Sequence, residues 1–148
     1  SGNSVRAVLL CRSLSEELGL HFLTVARDAR ATLRAIYQPR DGVRVYEAHG
    51  DLLFCGAEQV VRTVDRGCED FVVGILDVSR ADDVDEAAKV LLSGMSTALH
   101  DQGKAGFIVD PDRRVIGDGS EFEQVRYRTV EDAVDAATAF IRGQRSGR

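Results

Sequence analysis

The chain has 148 residues, of which 44% are hydrophobic and 29% are charged, with a formal net charge of −5 at neutral pH. This length and composition suit one globular domain with a real core, and no apolar run approaches the ~20 residues that a membrane span needs. The acidic excess is spread along the chain, so we expect no nucleic-acid groove. The three cysteines form no C-x-x-C pair, so we expect neither a zinc site nor a disulfide framework, and we expect a cytoplasmic location.

The first predicted element is a helix over residues 4–18. Asn3 or Ser4 supplies an N-cap oxygen, and Gly19 stands where a C′ glycine belongs. The apolar residues lie close to a 3.6-residue spacing: Val8, Leu9, Leu14 and Leu18. A helix this short is marginal alone in water, so we expect its apolar face to be covered by residues that this sequence does not contain.

A β-hairpin is predicted next, over residues 31–50. Two runs rich in β-branched and aromatic residues flank a stretch of turn residues from Pro39 to Gly42. A helix over residues 24–36 stays open as an alternative, since Ala26, Ala29, Leu33 and Ile36 also lie near helical spacing.

The middle of the chain alternates helical and strand patterns. A helix ending at Gly67 is followed by a nearly unbroken apolar run over residues 71–78, which is typical of a strand covered on both faces. A second helix, from about residue 84 to residue 101, is predicted to turn five residues inward: Val90, Leu91, Met95, Ala98 and Leu99. Residues 105–110 predict another short strand.

The last unit is a short edge strand, VRYR, followed by a helix that opens with a near capping box of Thr129 and Asp132. The predicted order is ββαβαβα, an α/β domain with a mixed sheet and right-handed crossovers.

Residues 50–109 resemble a STAS domain, a family named for sulfate transporters and anti-sigma factor antagonists. The resemblance is carried by GDLLFCGAEQVV, FVVGILDVSRADDVDEAAKVLLSGM and GKAGFIV, which follow the family's pattern of a Gly-x-Leu strand end, a buried strand ending near Asp and Ser, and a long helix. It implies a STAS-like mixed sheet with packed helices and, together with the flanking elements, a domain over residues 29–148.

The opening residues resemble something else. Gly-Asn-Ser-Val-Arg, then Cys, Leu-Ser and Gly-Leu-His-Phe are similar to the C-terminal end of the catalytic domain of serine-dependent glutaminases. This resemblance implies that residues 1–28 are the tail of that domain and that Val5 lines a half-site for glutamine, whereas an ordinary helix cap also explains Asn3 and Ser4. The chain contains no S-x-x-K motif, so no catalytic residue is assigned and the isolated chain is expected to be inactive.

An acidic stretch precedes the second long helix: Asp82, Asp83, Asp85 and Glu86. It is read as a divalent-metal site, as a contact for a basic partner, or as charge complementarity to the helix dipole with an Asp83/Glu86 capping box, and we favour the last. In the anti-sigma antagonists this loop carries a phosphate-accepting serine. The resemblance aligns that serine with Ala87, which implies that the phosphate switch is lost.

For the remaining candidate functional residues we favour structural roles. Asp110, Pro111 and Asp112 predict a turn rather than a calcium loop, because Arg114 and Val115 stand where a ligand and a glycine are required. The histidines His21, His49 and His100 are expected to be structural or on the surface, and the cysteines Cys11, Cys55 and Cys68 to pack as small apolar residues.

Together these observations predict a non-catalytic regulatory or interaction module joined to a glutaminase, an enzyme that hydrolyses glutamine to glutamate and ammonia. No cofactor and no metal are expected. The expected partner is the glutaminase catalytic domain in the parent chain, with a further protein or a second copy of the chain as other partners. Two alternatives remain open: a free-standing signalling protein of the anti-sigma antagonist kind, and the cytoplasmic domain of an anion transporter.

Overall fold

The computed structural model describes residues 33–146, so the predicted helix over residues 4–18, the domain boundary after residue 28, Val5, Cys11 and His21 lie outside the described residues. The helices and strands are β1 (Leu33–Arg40), β2 (Val43–Leu52), α1 (Phe54–Gly67), β3 (Val73–Val84), α2 (Glu86–Asp101), β4 (Ala105–Val109), β5 (Arg126–Tyr127) and α3 (Val130–Ser146). Single 3₁₀ turns occupy Cys68–Asp70 and Glu123–Val125.

The strands form one five-stranded sheet in the order β1-β2-β3-β4-β5. The edge strand β1 pairs antiparallel with β2, and every other neighbouring pair is parallel. The predicted α/β class with a mixed sheet is therefore confirmed. The observed order is ββαβαββα. The predicted order ββαβαβα is one strand short, although the predicted edge strand VRYR is present as β5.

The predicted hairpin is confirmed, and its turn is tighter than expected. Strand β1 continues through Pro39 to Arg40, so the turn consists of Asp41 and Gly42, the latter with φ of 78°. Proline is tolerated in β1 because an edge strand has one side on which no N–H donor is needed. The alternative of a helix reaching residue 36 is wrong for its described part, since residues 33–36 belong to β1.

Two helices cover one face of the sheet and the third covers the other. The core between α1, α2 and the sheet is separate from the core between α3 and the sheet. Helix α2 buries Ala88, Leu91, Leu92, Met95 and Leu99, a stripe at positions i, i+3, i+4, i+7 and i+11. The inward placement predicted for Val90 is wrong, because this residue lies outside that stripe and is 64% exposed.

Strand β3 is longer than the predicted strand over residues 71–78. It stays paired with β2 through two register shifts until Val84 lies opposite Leu52. Asp82 and Asp83 therefore belong to the end of a strand, and α2 begins at Glu86 with Asp85 as its N-cap. The predicted start at about residue 84 is two residues early.

The turn after β4 is organised by one buried carboxylate. Asp110 is almost fully buried, and its two carboxylate oxygens accept hydrogen bonds from the backbone N–H groups of Arg114 (2.8 Å), Val115 (2.9 Å) and Ile116 (2.8 Å). Three such donors satisfy a buried carboxylate that would otherwise be costly. The prediction of a turn at this position is confirmed.

Candidate functional site

The acidic stretch lies at the carboxyl end of the parallel strands. Strands β2 and β3 run in the same direction, and α1 and α2 begin directly after them. The acidic stretch thus lies at the edge of the sheet where two helices begin, and partial positive charge and unsatisfied N–H groups at helix starts favour anionic side chains. We call residues 82–87 the acidic end.

Within the acidic end, Asp85 has a structural role. Its Oδ1 accepts a hydrogen bond from the backbone N–H of Ala88 in α2 (2.7 Å), and its Oδ2 accepts one from the backbone N–H of Phe54, the first residue of α1 (3.1 Å). One carboxylate therefore holds the starts of both helices together. The predicted Asp83/Glu86 capping box is wrong: the cap is Asp85, because β3 extends further than its apolar run indicates.

The other residues of the acidic end face solvent. Asp82, Asp83, Glu86 and Ala87 are all exposed. Glu86 accepts a hydrogen bond from Lys89 Nζ (2.8 Å), and the carbonyl oxygen of Asp82 accepts one from the Arg114 guanidinium. Among residues 33–146, no ion pair involves the carboxylates of Asp82 and Asp83. These two carboxylates are available to a partner.

The arrangement gives the metal alternative no support. Over the described range 33–146, no group of three or more His, Cys, Asp or Glu side chains is placed to hold a metal ion. Both oxygens of Asp85 are occupied by backbone N–H groups. Ala87 is exposed in the first turn of α2, and its methyl group offers no oxygen for phosphorylation.

A polar cluster that the sequence analysis missed lies beside the acidic end. Glu47 Oε1 in β2 is 2.5 Å from His49 Nε2 and accepts a hydrogen bond from Arg80 Nη1 in β3 (3.1 Å). The hydrogen bond from His49, with the positive charge of Arg80 as a smaller cause, lowers the pKa of the Glu47 carboxyl group. Burial is the main reason that the pKa of the nearby Tyr37 phenol is raised, and Asp77 and Glu47 add to the effect.

Only tertiary structure assembles this cluster. The i, i+2 spacing of Glu47 and His49 is the one signal in the sequence, since such residues share a face of a strand. The register then places His49 opposite Arg80 and Glu47 opposite Asp77. No local pattern contains that register.

The polypeptide enters the sheet at the same end. Leu33, the first residue of β1, pairs with Ala48 near the carboxyl end of β2, because β1 runs antiparallel to the other strands. Two exposed apolar side chains belong to the neighbouring elements. Leu53, which directly follows β2 at this end, is 44% exposed, and Ile36, opposite Tyr46 further along β1, is 50% exposed. Chain entry, the exposed carboxylates and the exposed Leu53 side chain therefore share one end of the module.

Comparison with solved structures identifies the fold. A sulfate transporter family protein from Wolinella succinogenes superimposes with a TM-score of 0.60 at 19% identity, covering 72% of this chain and 93% of the other. The phosphorylated form of SpoIIAA, a cell fate determinant of Bacillus, superimposes with a TM-score of 0.56 at 17% identity, covering 69% of this chain and 96% of the other. The fold is that of a STAS domain. The resemblance noted in residues 50–109 is thereby confirmed at the level of the fold.

Comparison with curated sequences gives a match of another kind. A glutaminase from Corynebacterium glutamicum is 27% identical over 112 residues, which are 75% of this chain and 27% of the relative. The chain thus spans about a quarter of the length of the relative that it matches. A scan against protein-family models finds no match. Within residues 33–146, no helix combines the length and the apolar character that crossing a bilayer requires.

Proposed function

We propose that this STAS module is the non-catalytic regulatory or assembly module of a glutaminase whose catalytic domain precedes it in the parent chain. The observation that carries the proposal is the match to a glutaminase over 75% of the chain, a stretch that makes up only 27% of that relative. The similarity therefore covers a part of a larger enzyme. The glutaminase-like motif in residues 1–24 supports the same assignment.

The geometry favours the acidic end as the part of this module that contacts the catalytic domain. Leu33 enters the sheet opposite Ala48, towards the carboxyl end of β2. This supports a contact between a preceding domain and the same end of the module, where Asp82, Asp83 and Glu86 are exposed. These exposed carboxylates suit a basic surface, and Leu53 adds an exposed apolar contact. Interfaces between domains of one chain commonly combine such polar and apolar groups.

The alternative of a free-standing anti-sigma antagonist is less well supported. SpoIIAA shares the fold, and its phosphorylated form is known. Phosphorylation adds nearly two negative charges and so controls partner binding by repulsion. In this chain the aligned position is Ala87, which has no hydroxyl group. A module of this sequence needs another means of control.

The first experiment concerns the parent enzyme. The coding sequence upstream of Ser1 is determined, and the chain that includes it is expressed and assayed for ammonia release from glutamine. We expect an S-x-x-K motif upstream and activity in the longer chain only, since the 148 residues contain no such motif. Activity of the isolated chain, or a longer chain that does not hydrolyse glutamine, would contradict the proposal.

The second experiment concerns the acidic end in that longer chain. The triple variant Asp82→Asn, Asp83→Asn, Glu86→Gln removes three exposed carboxylates without touching the Asp85 cap. The control removes three exposed carboxylates elsewhere: Glu121→Gln, Glu131→Gln and Asp135→Asn. We expect calorimetric unfolding of the parent chain to separate into two transitions in the first variant and to stay coupled in the control. Identical unfolding of both variants would exclude the acidic end as the contact.

A further inference from the structure

A groove with a volume of ≈ 320 Å³ lies away from the acidic end, against the first half of β4. Helix α2 forms one wall, the 3₁₀ turn before β5 forms the other, and α3 contributes Phe140. The floor consists of Ala105, Gly106 and Phe107. None of its lining residues belongs to the acidic end or to the cluster around Glu47.

The groove exists because β5 is short. β5 pairs with β4 only at Ile108 and Val109, so the side of β4 beside Ala105, Gly106 and Phe107 has no strand next to it in the described chain. The hydroxyl group of Ser96 in α2 donates a hydrogen bond to the carbonyl oxygen of Gly106 (2.7 Å). The Gly106 carbonyl group therefore has a hydrogen-bond partner without a neighbouring strand, and the space beside this part of β4 stays open.

The lining combines aromatic rings with polar side chains that have no hydrogen-bond partner among residues 33–146. Phe107, Phe122 and Phe140 supply the aromatic surface. Thr97, His100 and Gln124 supply a hydroxyl, an imidazole and an amide, and across residues 33–146 their side chains form no hydrogen bond or ion pair. A largely apolar concavity of about 300 Å³ or more with a few polar groups is the common form of a small-molecule site.

We propose that this groove binds a small uncharged aromatic molecule with one hydrogen-bonding head group. An aromatic ring packs well against other rings in offset or edge-on geometry. The head group bonds to Thr97, His100 or Gln124, each of which offers a donor or an acceptor. The lining contains no Asp, Glu, Lys or Arg, so while the imidazole of His100 is neutral a charged head group would lose its hydration without gaining an opposite charge.

The test is a ¹H–¹⁵N NMR titration of the 148-residue chain with phenylacetamide, with indole-3-acetamide and with phenylacetate as the charged analogue. We expect saturable shifts at the amides of Gly106, Phe107 and Val125 with both amide probes. We expect phenylacetate to bind about tenfold more weakly. The absence of saturable shifts with both amide probes, or binding of phenylacetate as tight as that of phenylacetamide, overturns the proposal.

Matched variants locate the binding. Thr97→Trp places a large side chain on the groove wall, and Val90→Trp makes a similar change on the same helix outside the groove, where Val90 is exposed. We expect Thr97→Trp to abolish the shifts and Val90→Trp to retain them. Gln124→Ala, at an exposed position, should weaken binding without filling the groove. Equal affinity in all three variants overturns the assignment of the site.

Discussion

The carboxylate of Asp85 satisfies two backbone donors that belong to different helices. Ala88 N–H is the third N–H of α2, and Phe54 N–H is the first of α1. Each would otherwise be one of the unpaired donors at a helix start. The backbone N–H of Asp85 also donates to the carbonyl oxygen of Leu52, at 3.3 Å. Asp85 therefore fixes the position of the acidic end, whereas Asp82, Asp83 and Glu86 are exposed on the surface.

Replacing Asp85 should destabilise the module far more than replacing Glu86. We expect Asp85→Ala to lower the free energy of unfolding by about 1–3 kcal/mol, since it removes an N-cap and a second hydrogen bond. Asp85→Asn should cost less, because asparagine is a good N-cap but has only one oxygen for two donors. Urea unfolding of the 148-residue chain measures both changes.

Glu86→Gln is the control for this comparison. Its side chain is 89% exposed and pairs only with Lys89 among the described residues, so we expect a change within about 0.5 kcal/mol. Equal costs for Asp85→Ala and Glu86→Gln would show that the bridge between the helices contributes nothing to stability.

At the scale of elements, α2 and β4 approach closely at Gly106. A Cβ added there would lie 2.9 Å from Leu99 Cδ1 and 3.0 Å from the Cα of Ser96. The second contact is with helix backbone, which a side-chain rotation cannot relieve. The same approach brings the Ser96 hydroxyl to the Gly106 carbonyl and so shapes the floor of the groove.

Gly106→Ala should therefore destabilise the module, although alanine is normally preferred to glycine in regular structure. We expect a loss of about 1–3 kcal/mol from overpacking. Gly94→Ala is the matched control within α2, because nothing lies within 4 Å of its added Cβ; there we expect a gain of about 0.5–1 kcal/mol. Thermal unfolding of both variants gives the sign of each change in stability. A gain of stability in Gly106→Ala would contradict the close approach of α2 and β4 at Gly106.

The elements that the sequence predicts correctly are those whose burial follows a simple period. Helix α3 shows this: its N-cap Thr129 accepts a hydrogen bond from the backbone N–H of Asp132 (3.1 Å), as the sequence indicates. Strand β3 shows the limit, because Asp82 and Asp83 are poor strand residues that tertiary pairing with β2 holds in the sheet. The Asp85 bridge and the Glu47 cluster depend on such pairing, so no local pattern contains them.

On the scale of the whole molecule, β3 joins the two cores. Val73 and Ile75 face the core under α3, and Leu76 and Val78 face the core under α1 and α2. All four side chains are fully buried. By contrast, β1 pairs only with β2 in the described chain, and its residues from Ile36 to Arg40 are exposed. Stability should therefore differ strongly between the centre of the sheet and this edge.

Hydrogen exchange of the 148-residue chain tests this difference. The amides of residues 73–78 should exchange only through global unfolding, because opening them exposes both cores. The hydrogen-bonded amides of β1 should exchange about a hundredfold faster or more, since opening the edge exposes little apolar surface. Residue-resolved exchange at neutral pH measures both groups. If β1 proved as protected as β3, residues outside the range 33–146 or a second molecule would have to cover this edge, and the stability order argued from the two cores would be wrong.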